Sequence, residues 1–211
     1  MDEHQEGLNE RSLHRMLFFT DAVFAIVLTL LVLELRPPGE GGPEHAADVV
    51  PLSGPLFAFV LSFLIISIFW IAHMATTRRL IRFDWPTTVA NLVFLFPICL
   101  IPFVSAWVGG AAMGPQGWSV YCLALIATSL ANVVLVFVQS RDGGRLMAGG
   151  VTLRERLYRM GRAASPGLAF AVGLAGALAD EVRVSQYCWV LIPVFFAAFR
   201  LLKPKREPKP A

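Results

Sequence analysis

With 56% hydrophobic and only 16% charged residues in 211, and a mean hydropathy of +0.63, the chain is too apolar for a soluble domain, where about a quarter of residues carry charge. Basic residues outnumber acidic ones, 18 to 15, but they lie between apolar runs rather than on one face, so no nucleic-acid partner is expected. The runs reach about 18 residues or more, enough to cross a ~30 Å hydrocarbon core as helices, and lack the alternation of barrel strands.

An all-α integral membrane protein with six transmembrane helices is therefore expected. Residues 1–16 read as a polar cytoplasmic N-terminus, 17–202 as the six-helix domain and 203–211 as a basic, Pro-rich cytoplasmic tail. The start is acidic and the first run full-length, unlike a cleaved signal peptide. Spans are predicted over Leu17 to Leu35, Pro55 to Ala75, Thr87 to Val108, Trp118 to Val138, Ala164 to Ala179 and Val184 to Leu202. The fifth is short and rich in Gly and Ala, and its Ala169, Gly173 and Ala177 stripe suits close helix packing.

The cations fix the expected orientation. With the N-terminus inside, only Arg36 and Arg183 of the 18 Lys and Arg fall outside, which satisfies the positive-inside rule and places both termini in the cytoplasm. The first outer loop carries Glu40, Glu44 and Asp48. The inner loop from Ser140 to Ala163 is expected to hold a short basic helix over Thr152 to Arg162 at the headgroup layer. Pro97 and Pro102 are expected to break the third span, and Pro193 the sixth. Cys99, Cys122 and Cys188 lie within apolar runs without paired spacing, so neither a disulfide framework nor a metal site is expected.

Two polar residues stand out. Asp21 lies at the inner edge of the first span, where a carboxylate costs several kcal/mol, by a rough estimate, unless it is paired or wet. His73, near the inner end of the second span, lies at a similar depth, so the two are expected to meet between helices 1 and 2. Such a pair serves either as a proton relay or as a packing staple. On helix 1, Ile26, Leu30 and Leu33 share one stripe at i, i+4, i+7, with Thr29 as its mid-span hydroxyl. Asn91 and Asn132 read as ordinary interhelical hydrogen bonders. The chain has no Thr-Val-Gly-Tyr-Gly filter, Arg-rich voltage sensor, Walker A loop or His-Glu-x-x-His, and it is not read as an enzyme.

The segment Arg15-x-x-x-Phe19-Thr20-Asp21, followed by an apolar stretch containing Thr29, resembles the signature of the transmembrane protein 175 family of potassium channels. Thr20 stands where Ser is usual, which keeps the hydroxyl. Trp70-x-x-His73 and Pro102-Phe103 fit the same pattern. The resemblance implies a homotetramer in which helix 1 of each subunit lines a central pore constricted by Ile26, with Leu30 and Leu33 continuing that face. It also implies that Arg15, Phe19, Thr20, Asp21, Trp70 and His73 hold helix 1 in place. K+ is then the permeant ion, no cofactor is needed, and the protein sits in a cell membrane, the inner one in a bacterium. The competing readings are a proton-coupled secondary transporter and a structural membrane protein without transport.

Overall fold

The computed structural model describes residues 3–35, 53–109 and 114–203. The first outer loop, with Glu40, Glu44 and Asp48, and the tail beyond Lys203 lie outside the described residues. Helix α1 spans Glu3–Leu30 and tightens into a 3-10 turn over Leu31–Glu34. Helices α2 (Ser53–Thr77), α3 (Trp85–Gly109), α4 (Pro115–Gln139) and α5 (Leu153–Leu178) follow. The last segment is α6 (Val182–Tyr187), a 3-10 turn over Cys188–Val190, and α7 (Leu191–Arg200).

Among the described residues, five segments are long and apolar enough to cross a membrane: Glu10–Glu34, Gly54–Thr77, Trp85–Gly109, Pro115–Gln139 and Val182–Arg200. Helix α5 is not among them, because Arg154, Glu155, Arg156, Arg159 and Arg162 crowd its N-terminal half. The short basic helix expected over Thr152 to Arg162 is in fact the beginning of α5, which runs unbroken to Leu178. The Thr152 hydroxyl accepts from the Glu155 amide at 3.2 Å and caps it, satisfying one of the donors that every helix start leaves open.

The prolines act unequally. Helix α3 continues through Pro97 and Pro102 rather than breaking; in an apolar setting the carbonyls they free are tolerated when neighbours cover them, and both rings are buried. Pro193 does coincide with a break. Its ring would collide with the carbonyl of Trp189, four residues earlier, and the backbone there is the Cys188–Val190 turn.

Helix α4 packs between α3 and α5, and α5 also carries α6 and α7. The core at this centre includes Phe94, Ile98, Trp118, Tyr121, Leu125 and Phe170. Tyr121 meets the Trp118 and Phe170 rings edge-on, and its hydroxyl lies 3.0 Å from that of Ser62 on α2. Helix α5 bends around a wedge from α4. The Ser129 hydroxyl donates to the Ala163 carbonyl at 2.8 Å and accepts from the Gly167 amide at 2.9 Å, replacing the bond those two backbone groups would make with each other.

At the end of the bundle where α2 gives way to α3, the loops are ordered by backbone pairing. Ile81 donates to the Leu146 carbonyl and Ala148 to the Arg79 carbonyl, each at 2.9 Å. Beneath this pairing Leu13 of α1 packs with Leu80, Leu146 and Met147 in a small second core, joined by Leu17, Phe83 and Val151. The polar stretch up to residue 16 is thus largely the first half of α1, and Leu13 ties it to the loops.

Candidate functional site

Helix α1 carries two opposed faces. Thr20, Phe24, Val27 and Leu31 repeat at i, i+4, i+7 and i+11 and are buried against the bundle, so one stripe of the helix supplies most of its packing. On the opposite side Ile26 is 57% exposed and Leu33 70%, with Thr29 and Leu30 also exposed between them. Only 22% of α1's apolar window is buried, against 56% for α3. The exposed stripe is apolar apart from Thr29, whose hydroxyl donates to the Ile26 carbonyl at 2.8 Å. The predicted residues Ile26, Thr29, Leu30 and Leu33 therefore lie together on one uncovered face.

Polar bonds at the end of this helix fix its rotation. The Asp21 carboxylate accepts from the Trp70 indole N–H of α2 at 2.9 Å. One residue earlier and on the buried side, Thr20 accepts from the Asn91 side-chain amide of α3 at 2.9 Å and donates to the Met16 carbonyl. The other end of the Asn91 amide, its Oδ1, lies 3.0 Å from Nε2 of His73. The His73 ring is stacked on Phe94, with ring centres 5.7 Å apart, and Phe24 closes over both. Thr20, Asn91 and His73 are all nearly inaccessible, and buried polar groups of this kind hold position because each has a partner.

Two sequence expectations are modified by this geometry. Asp21 and His73 share no hydrogen bond: Trp70 takes the carboxylate, and His73 turns inward to Asn91. Arg15 and Phe19 are exposed, and Arg15 forms no ion pair or side-chain hydrogen bond among the described residues, so neither joins the positioning cluster within one chain. Asn91, read from the sequence as an interhelical hydrogen bonder, is one, and it bridges three helices. Its signal was a lone amide in an apolar span, which must find partners wherever it is buried.

A second polar group secures the loops below. Asp84 caps α3, accepting from the Thr87 hydroxyl at 2.6 Å and from its amide at 3.0 Å, and its other oxygen takes Arg141 and, at 3.0 Å, Arg145. Burial pushes the Asp84 carboxyl up, but the Thr87 bonds and Arg141 outweigh it and hold it below its ordinary range. Arg79 pairs with Glu155, and the buried Arg159 donates to the Thr76 carbonyl at 2.6 Å and to the Met147 sulfur. Among the described residues no three His, Cys, Asp or Glu side chains gather as metal ligands.

Comparison with known proteins places the chain among relatives. Residues 15–102 match the family model described as the endosomal/lysosomal potassium channel TMEM175. A protein named as a potassium channel from Chamaesiphon minutus is 30% identical over 190 residues, covering 85% of this chain and 90% of that protein. Another, from Streptomyces collinus, is 27% identical over 83% of this chain and 91% of its own length. The chain spans 66% of a Chryseobacterium potassium channel and about a quarter (26%) of the rat protein named as an endosomal/lysosomal proton channel. The crystal structure of a lysosomal potassium-selective channel TMEM175 homolog from Chamaesiphon minutus superposes with a TM-score of 0.73, covering 90% of this chain and 98% of that one; at 23% identity the likeness is one of fold.

Proposed function

The chain belongs to the TMEM175 family, and on that premise we propose that it is a potassium-channel subunit that conducts K+ through a central pore lined by α1 in a homotetramer. The observation that carries this reading is the uncovered stripe of Ile26, Thr29, Leu30 and Leu33, held outward while the opposite face of the same helix is locked into the bundle. Four copies of the chain around an axis would close these bulky apolar side chains into a ring. The relatives named as potassium channels supply the ion.

An apolar ring works differently from a carbonyl filter. It excludes large hydrated ions by size and gates by expelling water from the constriction. Supplying no oxygen ligands, it discriminates K+ from Na+ only modestly. Thr29 offers the one hydroxyl along this stripe, one turn from Ile26. Thr20, Asp21, Trp70, His73 and Asn91 do not line the path in this reading; they set the angle at which Ile26 faces the axis. Arg15 and Phe19, exposed on the single chain, are left for contacts between subunits.

The topology proposed is six membrane-crossing segments with both termini cytoplasmic, in a cell membrane that is the inner one in bacteria. The arginine distribution supports it, as does the place of α5 against α4, α6 and α7. Nucleic acid and enzymatic cofactors have no part in this function. A proton-coupled transporter would need Asp21 and His73 on one path; the separate partners of the two favour the channel.

The test is K+ flux from liposomes containing purified wild type or Ile26→Asn, with bi-ionic reversal potentials. The channel reading expects flux in the wild type, and greater flux or weaker K+/Na+ discrimination in the variant. Assembled protein without flux overturns it, and wild-type selectivity above roughly a hundredfold, the order expected of a carbonyl filter rather than an apolar ring, overturns the constriction.

A further inference from the structure

The charged groups at the loop-bearing end of the bundle are distributed unevenly. Around the α2–α3 turn the acids are spent internally: Asp84 takes Arg141 and Arg145, and Glu155 takes Arg79. On the far side of α5 the pattern is reversed. Arg154, Tyr158 and Arg162 repeat at i, i+4 and i+8 and so share one stripe, which faces the end of α7. Arg154 donates to the carbonyls of Leu202 at 3.2 Å and Leu201 at 3.3 Å. The Arg162 guanidinium lies 5.3 Å from the centre of the Phe196 ring and 5.8 Å from that of Tyr158. Phe199 fills the space at Gly161, where any Cβ would collide with its ring, so the two helices meet closely here.

Arg200 follows Phe196 by one turn and lies on the same face of α7, and Lys203 comes next. Among the described residues, Arg154, Arg162, Arg200 and Lys203 make no ion pair. Leu153, Leu157 and Leu201 stand exposed around them. Cations without counter-ions and apolar side chains without cover thus adjoin, at the end of a segment apolar enough to cross a bilayer. Guanidinium is planar and bonds phosphate oxygens in pairs, and stacking on Phe196 and Tyr158 limits the freedom Arg162 would lose on binding.

We propose that the seam between α5 and α7 binds the phosphate headgroup of an anionic phospholipid, with its acyl chains along Leu153, Leu157 and Leu201. Charge complementarity selects the headgroup, and the adjoining leucines select a lipid over a free anion. The proposal stands apart from ion conduction, because binding is read without any flux.

The test is native mass spectrometry of the purified, delipidated full chain offered equal amounts of phosphatidylglycerol and phosphatidylcholine with matched acyl chains. Wild type is expected to retain phosphatidylglycerol about fivefold or more over phosphatidylcholine, and R154Q/R162Q to lose roughly tenfold of that retention. The control R11Q/R78Q, which removes two other exposed arginines, is expected to stay within about twofold of wild type. Should R154Q/R162Q fail to fold, R200Q alone is expected to lose about threefold or more, since that side chain makes no bond within the described structure. Equal retention of the two lipids by wild type, undiminished retention in the seam variants, or an equal loss in the control overturns the site. Displacement of the lipid by excess inorganic phosphate overturns the lipid and leaves an anion site.

Discussion

Asp21 and Trp70 meet at 2.9 Å across the α1–α2 contact, carboxylate to indole N–H, and so spare the carboxylate any need of His73. The bond lies at the edge of the chain's exposed face, where it constrains α1 without sealing its surface. Replacing Trp70 with Phe removes the only donor Asp21 has among the described residues. Loss of about 1–2 kcal/mol of stability is expected. A double-mutant cycle with Asp21→Ala, read by thermal melts in detergent, should return a coupling of similar size; zero coupling would show that the bond orients nothing.

Asn91 is predicted to matter more, since it joins Thr20 and His73 in a setting closed to water. Asn91→Ala strands both partners and leaves a cavity beside Phe24 and Phe94. A loss of about 2–4 kcal/mol follows from unpaired buried groups and lost packing. Because α1 would be free to turn, potassium flux in liposomes should also lose selectivity. Wild-type stability in this variant would contradict the role given to the amide.

The Ser129 wedge gives a third expectation. Ser129→Ala leaves the Ala163 carbonyl and the Gly167 amide without their shared partner, at a cost of about 1–3 kcal/mol. Gly167→Ala attacks the same contact from the other side, because its Cβ would come within 2.7 Å of the Ser129 Cβ and hydroxyl. Both variants should lower the melting temperature, and the pair combined should destabilise less than the sum of the two.

Asp84 predicts a pH dependence. Its carboxyl is held below the usual range in the folded chain, so the stability it lends is present above its unfolded value, ~3.9, and is lost as pH falls through the folded one. Asp84→Asn should cost about 1–2 kcal/mol at neutral pH. Between about pH 5 and pH 3 its melting temperature should then fall less steeply than that of wild type. Parallel acid limbs would exclude Asp84 as a contributor.

Much of the architecture was legible in the sequence because a bilayer imposes long apolar runs. The second, third and fourth spans and the last were readable within a few residues by that rule, whereas the first begins at Glu10, well before Leu17. Helix α5 was harder, since its basic half breaks the hydropathy signal and reads as a separate segment, although Thr152 and Glu155 stand at capping spacing. The stripe of Ile26, Leu30 and Leu33 was visible as spacing, but spacing does not say which stripe faces out; the burial of Phe24, Val27 and Leu31 does. The partners of Asp21 and His73 depend on the rotation of α1, α2 and α3 about their own axes. A single sequence carries no record of those angles, and depth alone does not say which side chains bond. The pairing of residues 79–81 with 146–148 was hidden for another reason: a Gly-rich loop shows no periodicity until its partner strand of chain is known.

Helix α1 runs unbroken from Glu3 through the level of Ile26, and Leu13 in its N-terminal half is gripped by Leu80, Leu146 and Met147. From Leu13 to Ile26 is roughly 20 Å at 1.5 Å per residue. A hydrogen-bonded helix resists torsion, so the grip on Leu13 and the bonds of Thr20 and Asp21 act on one shaft and together hold the side on which Ile26 stands. The gripping loops are themselves bolted to α3 and α5 by Asp84 and Glu155. Ile26 is therefore held from two levels of the same helix, the grip of the loops on Leu13 and the polar bonds of Thr20 and Asp21.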